Sequence, residues 1–148
     1  MTPKILMSLL AIFVLLKTYK LKTNFKKEVT LALCFSILLT WFTSKILISI
    51  GIFSNIITSI WITTKGFTVQ NLSKIEKANF IVLGLFSSLG MLFSFMNWPF
   101  ATFINIAMVI PIILYLYTSI TTKLKFNNNY LFLSILVLDC ILRFMKIF

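Results

Sequence analysis

The chain has 148 residues, of which 59% are hydrophobic and 11% are charged, and its mean hydropathy is +1.02. It has 14 Lys and Arg residues, three acids and no histidine, for a formal charge of +11. Because so few polar side chains cannot cover a water-soluble surface, this composition excludes a soluble domain. The missing histidines and scarce acids exclude most metal sites and nearly all triad chemistry.

Six apolar stretches follow one another along the chain, separated by charged residues or turn signals. They predict an all-α integral membrane protein in which residues 1–148 form one domain of six short transmembrane helices. The first stretch has the length of a signal-peptide core, but its basic cluster follows the apolar run, so we expect a retained helix. The stretches are residues 5–19, 29–44, 46–63, 78–97, 100–119 and 130–147.

Residues 29–63 could form one helix or two. A single helix would run roughly 50 Å, against a hydrocarbon core of about 30 Å, and would place Lys45 in lipid. With six spans and both termini outside, ten basic residues lie inside and four outside; with five spans the better orientation puts seven inside and six outside. The positive-inside rule therefore favours six spans. The four outer residues are Lys4, Lys45, Arg143 and Lys146.

A charge of +11 is also compatible with nucleic-acid binding. Here the lysines lie between apolar runs rather than along one face, which favours their interpretation as topology signals. We therefore expect no nucleic-acid partner. The expected surroundings are the lipid bilayer, with other membrane subunits or further copies of the chain as partners.

Asp139 is the one acid well inside a predicted span, since Glu28 and Glu76 lie near predicted helix starts and Ser73 with Glu76 forms a capping box. An ionised Asp at that depth costs on the order of 3 kcal/mol. Arg143 follows four residues later on the same helix face. Three interpretations stay open for this pair: a structural ion pair, a polar contact between helices, and a proton or ion role.

Small and turn-forming residues mark the fourth and fifth spans. Gly84 and Ser88 are spaced for close helix approach, within the chain or between chains. Pro99 cannot continue the fourth helix but can begin the fifth, so Asn97, Trp98 and Pro99 predict a tight outer turn with Trp98 at the interface. No catalytic, cofactor-binding or metal site is expected.

A weak internal repeat is visible at the ends of two stretches. Phe95-Met96 recurs 49 residues later as Phe144-Met145, in each case after an aliphatic or aromatic pair. The pattern favours repeated helical hairpins, which build both transporters and passive scaffolds.

The turn at Leu92–Ala101 resembles the transmembrane hairpin of the inner-membrane stator family of the gliding motility and type IX secretion motor. In that family the turn reads L-F-K-I-M-H-W-P-G-A. The resemblance covers residues 78–119 and implies a hairpin whose turn faces the periplasm of a bacterial inner membrane. Ile112 stands where the family has a membrane-embedded glutamate, so proton-motor activity does not carry over. The matching residues are Leu92, Phe93, Met96, Trp98, Pro99 and Ala101.

Two functions are compatible with this sequence. The favoured one is a non-enzymatic multi-pass protein of the inner membrane, acting as a scaffold or accessory subunit of a membrane complex. The alternative is a small transporter or channel that uses Asp139 and Arg143 within the bilayer. An enzyme is disfavoured because no span clusters acids, histidines or cysteines.

Overall fold

The computed structural model describes residues 3–19, 24–69, 72–122 and 130–146, and within these ranges the chain is helical with short turns and no strand. The predicted all-α class is therefore confirmed. The helices are α1 (Pro3–Tyr19), α2 (Asn24–Leu39), α3 (Lys45–Thr68), α4 (Lys74–Phe95), α5 (Ala101–Ala107), α6 (Val109–Thr121) and α7 (Leu133–Met145).

Three stretches of helix are long and apolar enough to cross a membrane, judged by length and composition. They are α3, α4 and the combined α5–α6 stretch, Ala101–Thr121. The helices α1, α2 and α7 have 17, 16 and 13 residues. At 1.5 Å per residue they measure about 20–25 Å, less than a hydrocarbon core of about 30 Å.

The stretch 29–63 is divided into two helices. Helix α2 ends at Leu39, and a turn precedes Lys45, the first residue of α3. The Thr40 hydroxyl donates to the Ile37 carbonyl oxygen at 2.7 Å, and this side-chain bond competes with continuation of the helix. The single-helix alternative is thereby excluded, and Lys45 lies at an exposed helix start rather than in the middle of a helix.

Successive helices run antiparallel, with α5 and α6 counted as one helix, so their ends gather at two ends of the bundle. At one end, the Lys4 ammonium donates to the Thr40 carbonyl oxygen at 3.0 Å, joining the start of α1 to the end of α2. At the same end the Phe53 and Phe95 rings pack 5.6 Å apart, which joins the first half of α3 to the end of α4. We call this the Lys4 end.

The opposite end is held by aromatic contacts. Phe25 near the start of α2 packs 5.3 Å from Trp61 of α3, with the Lys65 ammonium 5.5 Å from the Phe25 ring. Phe80 near the start of α4 packs 5.1 Å from Tyr130, just before α7. We call this the Lys65 end. Helices α4 and α7 consequently run parallel to each other.

The described basic residues form two groups, one at each end of the bundle. The groups match the predicted outer and inner sets. Of those that the structure describes, four lie at the Lys4 end and six at the Lys65 end. Lys20, Lys22, Lys123 and Lys125 lie outside the described residues. The Lys4 end has Lys4, Lys45, Arg143 and Lys146, and the Lys65 end has Lys17, Lys26, Lys27, Lys65, Lys74 and Lys77.

Helices α3 and α4 make the closest helix pair. A Cβ atom on Gly84 would lie 2.5 Å from the Ser59 carbonyl oxygen and 3.0 Å from the Thr63 amide nitrogen. Ser88, one turn later, is also buried, and its hydroxyl donates to the Leu85 carbonyl. The Gly84/Ser88 face is therefore occupied within the chain, and a second copy would have to use another surface.

An apolar core fills the bundle between its middle and the Lys65 end. Its members come from six helices and include Val14, Leu33, Ile62, Leu83 and Leu136, each with no exposed surface. The outward faces are also apolar. The largest exposed fractions include 76% for Ile120, 72% for Ile46 and 70% for Phe103. An apolar exterior over an apolar core is typical of helices that face lipid.

The caps of α4 follow the predicted chemistry at its start and add a motif at its end. The Ser73 amide donates to the Glu76 carboxylate at 2.9 Å and the Glu76 amide to the Ser73 hydroxyl at 3.3 Å, so the capping box is confirmed. At the other end of α4, Asn97 has a positive φ of 50°. The Trp98 amide donates to the Phe93 carbonyl oxygen at 3.1 Å, and the side-chain rings of Phe93 and Trp98 pack 4.6 Å apart. This is a Schellman motif.

We expect Asn97→Val to destabilise the protein by about 1 kcal/mol, because a β-branched residue is strained in the left-handed region. Asn97→Gly adopts the same φ without strain and is the matched control, with an expected change near zero. Thermal unfolding in detergent measures both. Equal melting temperatures for the two variants would show that the positive φ does not constrain this turn.

The fifth predicted span is an interrupted helix. Its break falls at Met108, between α5 and α6. Pro111 has no N–H to donate to the Ala107 carbonyl, one turn earlier, and its ring crowds that turn. The interruption therefore lies three residues before the proline, in the turn that Pro111 disturbs.

Candidate functional site

Asp139 and Arg143 form an ion pair on one face of α7. Their spacing of four residues places them one turn apart. The Arg143 Nε and Asp139 Oδ2 atoms are 2.8 Å apart, and the two side chains are 13% and 14% exposed. The ion pair, one of the three interpretations that the sequence left open, is therefore present, and its charges neutralise each other locally.

Arg143 also joins α7 to α4. Its Nη1 donates to the Gly90 carbonyl oxygen and to the Ser94 hydroxyl, both at 3.0 Å. The contact between helices, which the sequence left open beside the ion pair, is therefore also present. We call Asp139, Arg143, Gly90 and Ser94 the Arg143 clamp. Gly90 and Ser94 precede Asp139 and Arg143 by 49 residues each, which is the offset of the internal repeat.

The clamp lies beside a cavity of about 240 Å³ at the Lys4 end, enclosed by α1, α2, α3, α4 and α7. Apolar side chains such as Met7, Ile52 and Met91 make up much of its wall. Three cations and one acid also line it: Lys4, Arg143, Lys146 and Asp139.

Two buried polar side chains lie deeper on the cavity wall. Ser36 is 1% exposed, and its hydroxyl donates to the Ala32 carbonyl at 2.7 Å. Asn55 is 6% exposed, and its carboxamide oxygen lies 3.4 Å from the donating Ser59 hydroxyl. Both make bonds within their own helix, so they add polarity to the wall without linking two helices.

The cavity is closed on the side of the Lys65 end. Leu33 lies below Ser36 on α2, Ile62 below Asn55 on α3, and Leu136 below Asp139 on α7, and all three are fully buried in the core. Core side chains therefore separate the cavity from the Lys65 end.

The structure brings together some of the predicted site residues and separates others. Asp139 and Arg143 line the cavity, whereas Gly84 and Ser88 lie in the α3–α4 contact. The turn Asn97–Trp98–Pro99 lies at the Lys4 end but does not line the cavity. Lys4 and Lys146 line the cavity although the sequence did not identify them as site residues. Their placement at one end is predicted from charge, but their convergence depends on α1 packing beside α7.

The described part of the chain has few side chains of the kinds that ligate metals. It contains no group of three or more His, Cys, Asp or Glu side chains that could hold a metal ion. Cys34 and Cys140 are free thiols within α2 and α7, and the Cys34 thiol lies 3.4 Å from the Ala11 carbonyl oxygen. These cysteines act as small packing residues.

No family model, curated protein or solved structure matches this chain. The function is therefore inferred from the cavity, the clamp and the charge distribution.

Proposed function

We propose that the protein is a small non-enzymatic scaffold or accessory subunit of a membrane complex. The observation that carries this proposal is the Arg143 clamp. Arg143 donates to Asp139, Gly90 and Ser94 together, so the charged pair within the bundle is engaged in holding α7 against α4. A charge held by three partners stabilises a fixed architecture, whereas a proton relay requires a titratable group with a second one near it.

We further propose that the chain crosses a bacterial inner membrane six times with both termini outside. The support is the alternation of helix ends and the division of basic residues between the Lys4 and Lys65 ends. Helices α1, α2 and α7 are short for this role, and local bilayer thinning and snorkelling lysines accommodate such a mismatch. The likeness of the α4–α5 turn to the stator-family hairpin supports the same orientation, with the Lys4 end in the periplasm.

The six-span arrangement predicts the accessibility of single cysteines placed in a variant without Cys34 and Cys140. Cysteines at Lys27 and Lys65 should react only with reagents that reach the cytoplasm, and a cysteine at Lys45 only with reagents added outside. Labelling of Lys27 and Lys45 from opposite sides would show that α2 crosses the membrane. Labelling of Lys45 and Lys65 from opposite sides would show the same for α3. Labelling of Lys27 and Lys45 from one side would remove α2 from the set of spans.

A scaffold must contact a partner chain through a limited part of its lipid-facing surface. Photo-crosslinkers at Ile57 of α3 and Phe103 of α5, which are 67% and 70% exposed, sample two such faces. The proposal expects a discrete crosslinked species of constant mass from one face in cells, and lipid adducts alone from a face that has no partner. Lipid adducts alone from a complete scan of the exposed positions would contradict a scaffold role.

The second candidate is a small transporter or channel, favoured by the charged cavity beside Asp139 and Arg143. Its closed inner side requires a conformational change that opens the core before a solute can cross. Flux across liposomes containing the purified protein distinguishes the two functions. The scaffold proposal expects no flux above empty liposomes, and the transporter proposal expects flux that Asp139→Asn abolishes while the protein stays folded.

A further inference from the structure

We propose that the cavity at the Lys4 end binds a phosphate group, carried by a phospholipid headgroup or by a small soluble phosphate. This site goes beyond the scaffold role and does not depend on it, because binding requires neither a partner chain nor a transport path. The proposal rests on the charges that line the cavity, on the free donors of two lysines and on the shape of its wall.

The charge of the cavity is positive after its own ion pair is counted. Asp139 and Arg143 neutralise each other at 2.8 Å. Lys4 and Lys146 then leave a charge of +2 on the lining, without a further acid among the residues that line it. Such a recess attracts an anion and repels a metal ion or an organic cation. Its low-dielectric walls strengthen that preference.

The two lysines retain donors for a ligand. The Lys4 ammonium has three N–H groups and donates one to the Thr40 carbonyl, which holds it at the rim. Lys146 follows the last residue of α7, is exposed, and forms no ion pair with any described residue. Lysine binds phosphate as a compact point charge. It does not need the planar, two-point geometry with which an arginine guanidinium binds phosphate.

The wall below the lysines is mainly apolar. Met7, Ile52 and Met91 come from three different helices, and Leu142 of α7 faces the same space. A cationic rim above an apolar recess matches a ligand with a phosphate at one end and carbon at the other. A phospholipid has this form, and so does a small phosphate monoester. Free phosphate would use the rim alone.

The test compares two pairs of lysine substitutions in the purified full-length protein. Lys4→Gln with Lys146→Gln removes the cavity charge, and Lys74→Gln with Lys77→Gln removes the same charge from the Lys65 end. Native mass spectrometry measures binding of dioleoylphosphatidylglycerol and dioleoylphosphatidylcholine, and titration calorimetry measures binding of inorganic phosphate. We expect the cavity pair to weaken anion binding roughly tenfold and the control pair less than twofold.

A second variant tests the recess without changing charge. Ile52→Trp fills the cavity, and its neighbour Phe53→Trp, on an exposed position of the same helix, is the control. Ile52→Trp should lower affinity for phosphatidylglycerol, and Phe53→Trp should leave it unchanged. If Ile52→Trp fails to fold, the lysine pairs still test the proposal. Lys4 and Lys146 are exposed, so their substitution should leave the fold intact.

The outcomes separate the two sources of phosphate. Binding of phosphatidylglycerol that inorganic phosphate does not displace, and that the cavity pair weakens, identifies a lipid headgroup site. Binding of inorganic phosphate that the cavity pair abolishes identifies a site for soluble phosphate. Lipid binding that the cavity pair does not weaken, together with no binding of inorganic phosphate, would overturn the proposal. So would an equal loss in the cavity and control pairs, since it would reflect non-specific attraction to positive charge.

Discussion

Arg143→Leu is expected to destabilise the protein by about 3 kcal/mol, because it leaves the Asp139 carboxylate without its partner in a largely buried position. The same change removes the two hydrogen bonds to Gly90 and Ser94 that hold α7 against α4. The free energy of unfolding in mixed micelles measures the effect. The fraction that elutes as a single peak in size-exclusion chromatography gives a second readout.

The double variant Asp139→Asn with Arg143→Leu is the decisive control. It removes both charges, so it should recover more than half of the lost stability. Lys45→Leu removes a cation from the same end of the bundle at an exposed position and should change stability by less than about 0.5 kcal/mol. If the double variant were no more stable than Arg143→Leu, the unpaired charge of Asp139 would not be the cause of the destabilisation.

Gly84→Ala is expected to cost about 3 kcal/mol, since overpacking a closely packed contact forces the backbones apart. The added Cβ would lie 2.5 Å from the Ser59 carbonyl oxygen and 3.0 Å from the Thr63 amide nitrogen, and it would also meet the Thr63 hydroxyl. Two of these atoms belong to the α3 backbone, which cannot yield without moving the helix. Thermal unfolding in detergent measures the loss.

Gly90→Ala on the same helix is the matched control. Its added Cβ would meet the terminal methyl group of Met108, a flexible side chain that can turn away, and would lie 3.5 Å from Arg143 Cδ. We expect a change of less than about 1 kcal/mol, because alanine also favours helix over glycine. If Gly90→Ala lowered the melting temperature as much as Gly84→Ala, the close approach of α3 to α4 would not be the cause.

The two variants also bear on self-association. Gly84 is buried against α3, so Gly84→Ala should lower stability without selectively weakening contacts between chains. A change in oligomeric state at unchanged stability would assign the Gly84/Ser88 face to an interface between copies instead.

The local features of the fold were predictable because each depends on a few adjacent residues. The capping box at Ser73 and Glu76 and the ion pair of Asp139 with Arg143 are encoded by spacings of three and four residues. The turn at Asn97, Trp98 and Pro99 was recognised from the proline. Its Schellman geometry depends on the positive φ of Asn97. In the sequence, only the asparagine just after the helix end indicates this conformation.

Helix lengths were predicted less well, because an apolar run and a helix need not coincide. Helix α2 begins at Asn24, ahead of its apolar run, and ends at Leu39, five residues before that run ends. The hydroxyl of Thr40 and the following turn end it early. Because α2 begins at Asn24, Glu28 is its fifth residue and lies in the second turn.

The partners of Arg143 and the cavity could not be predicted from the sequence. Gly90 and Ser94 lie far from Arg143 in the chain, and only the parallel packing of α4 beside α7 brings them together. Lys4 and Lys146 come from opposite ends of the chain and share a cavity because α1 also packs against α7.

The few polar residues, the formal charge of +11 and the six apolar stretches determined by themselves that the chain is helical and apolar on its outside. They also determined how the lysines divide between two ends, because hydropathy and charge act residue by residue. The tertiary structure alone decided that Arg143 clamps two parallel helices and that two lysines converge on a recess. Contacts between distant segments depend on which helix faces pack, and one-dimensional patterns do not specify that choice.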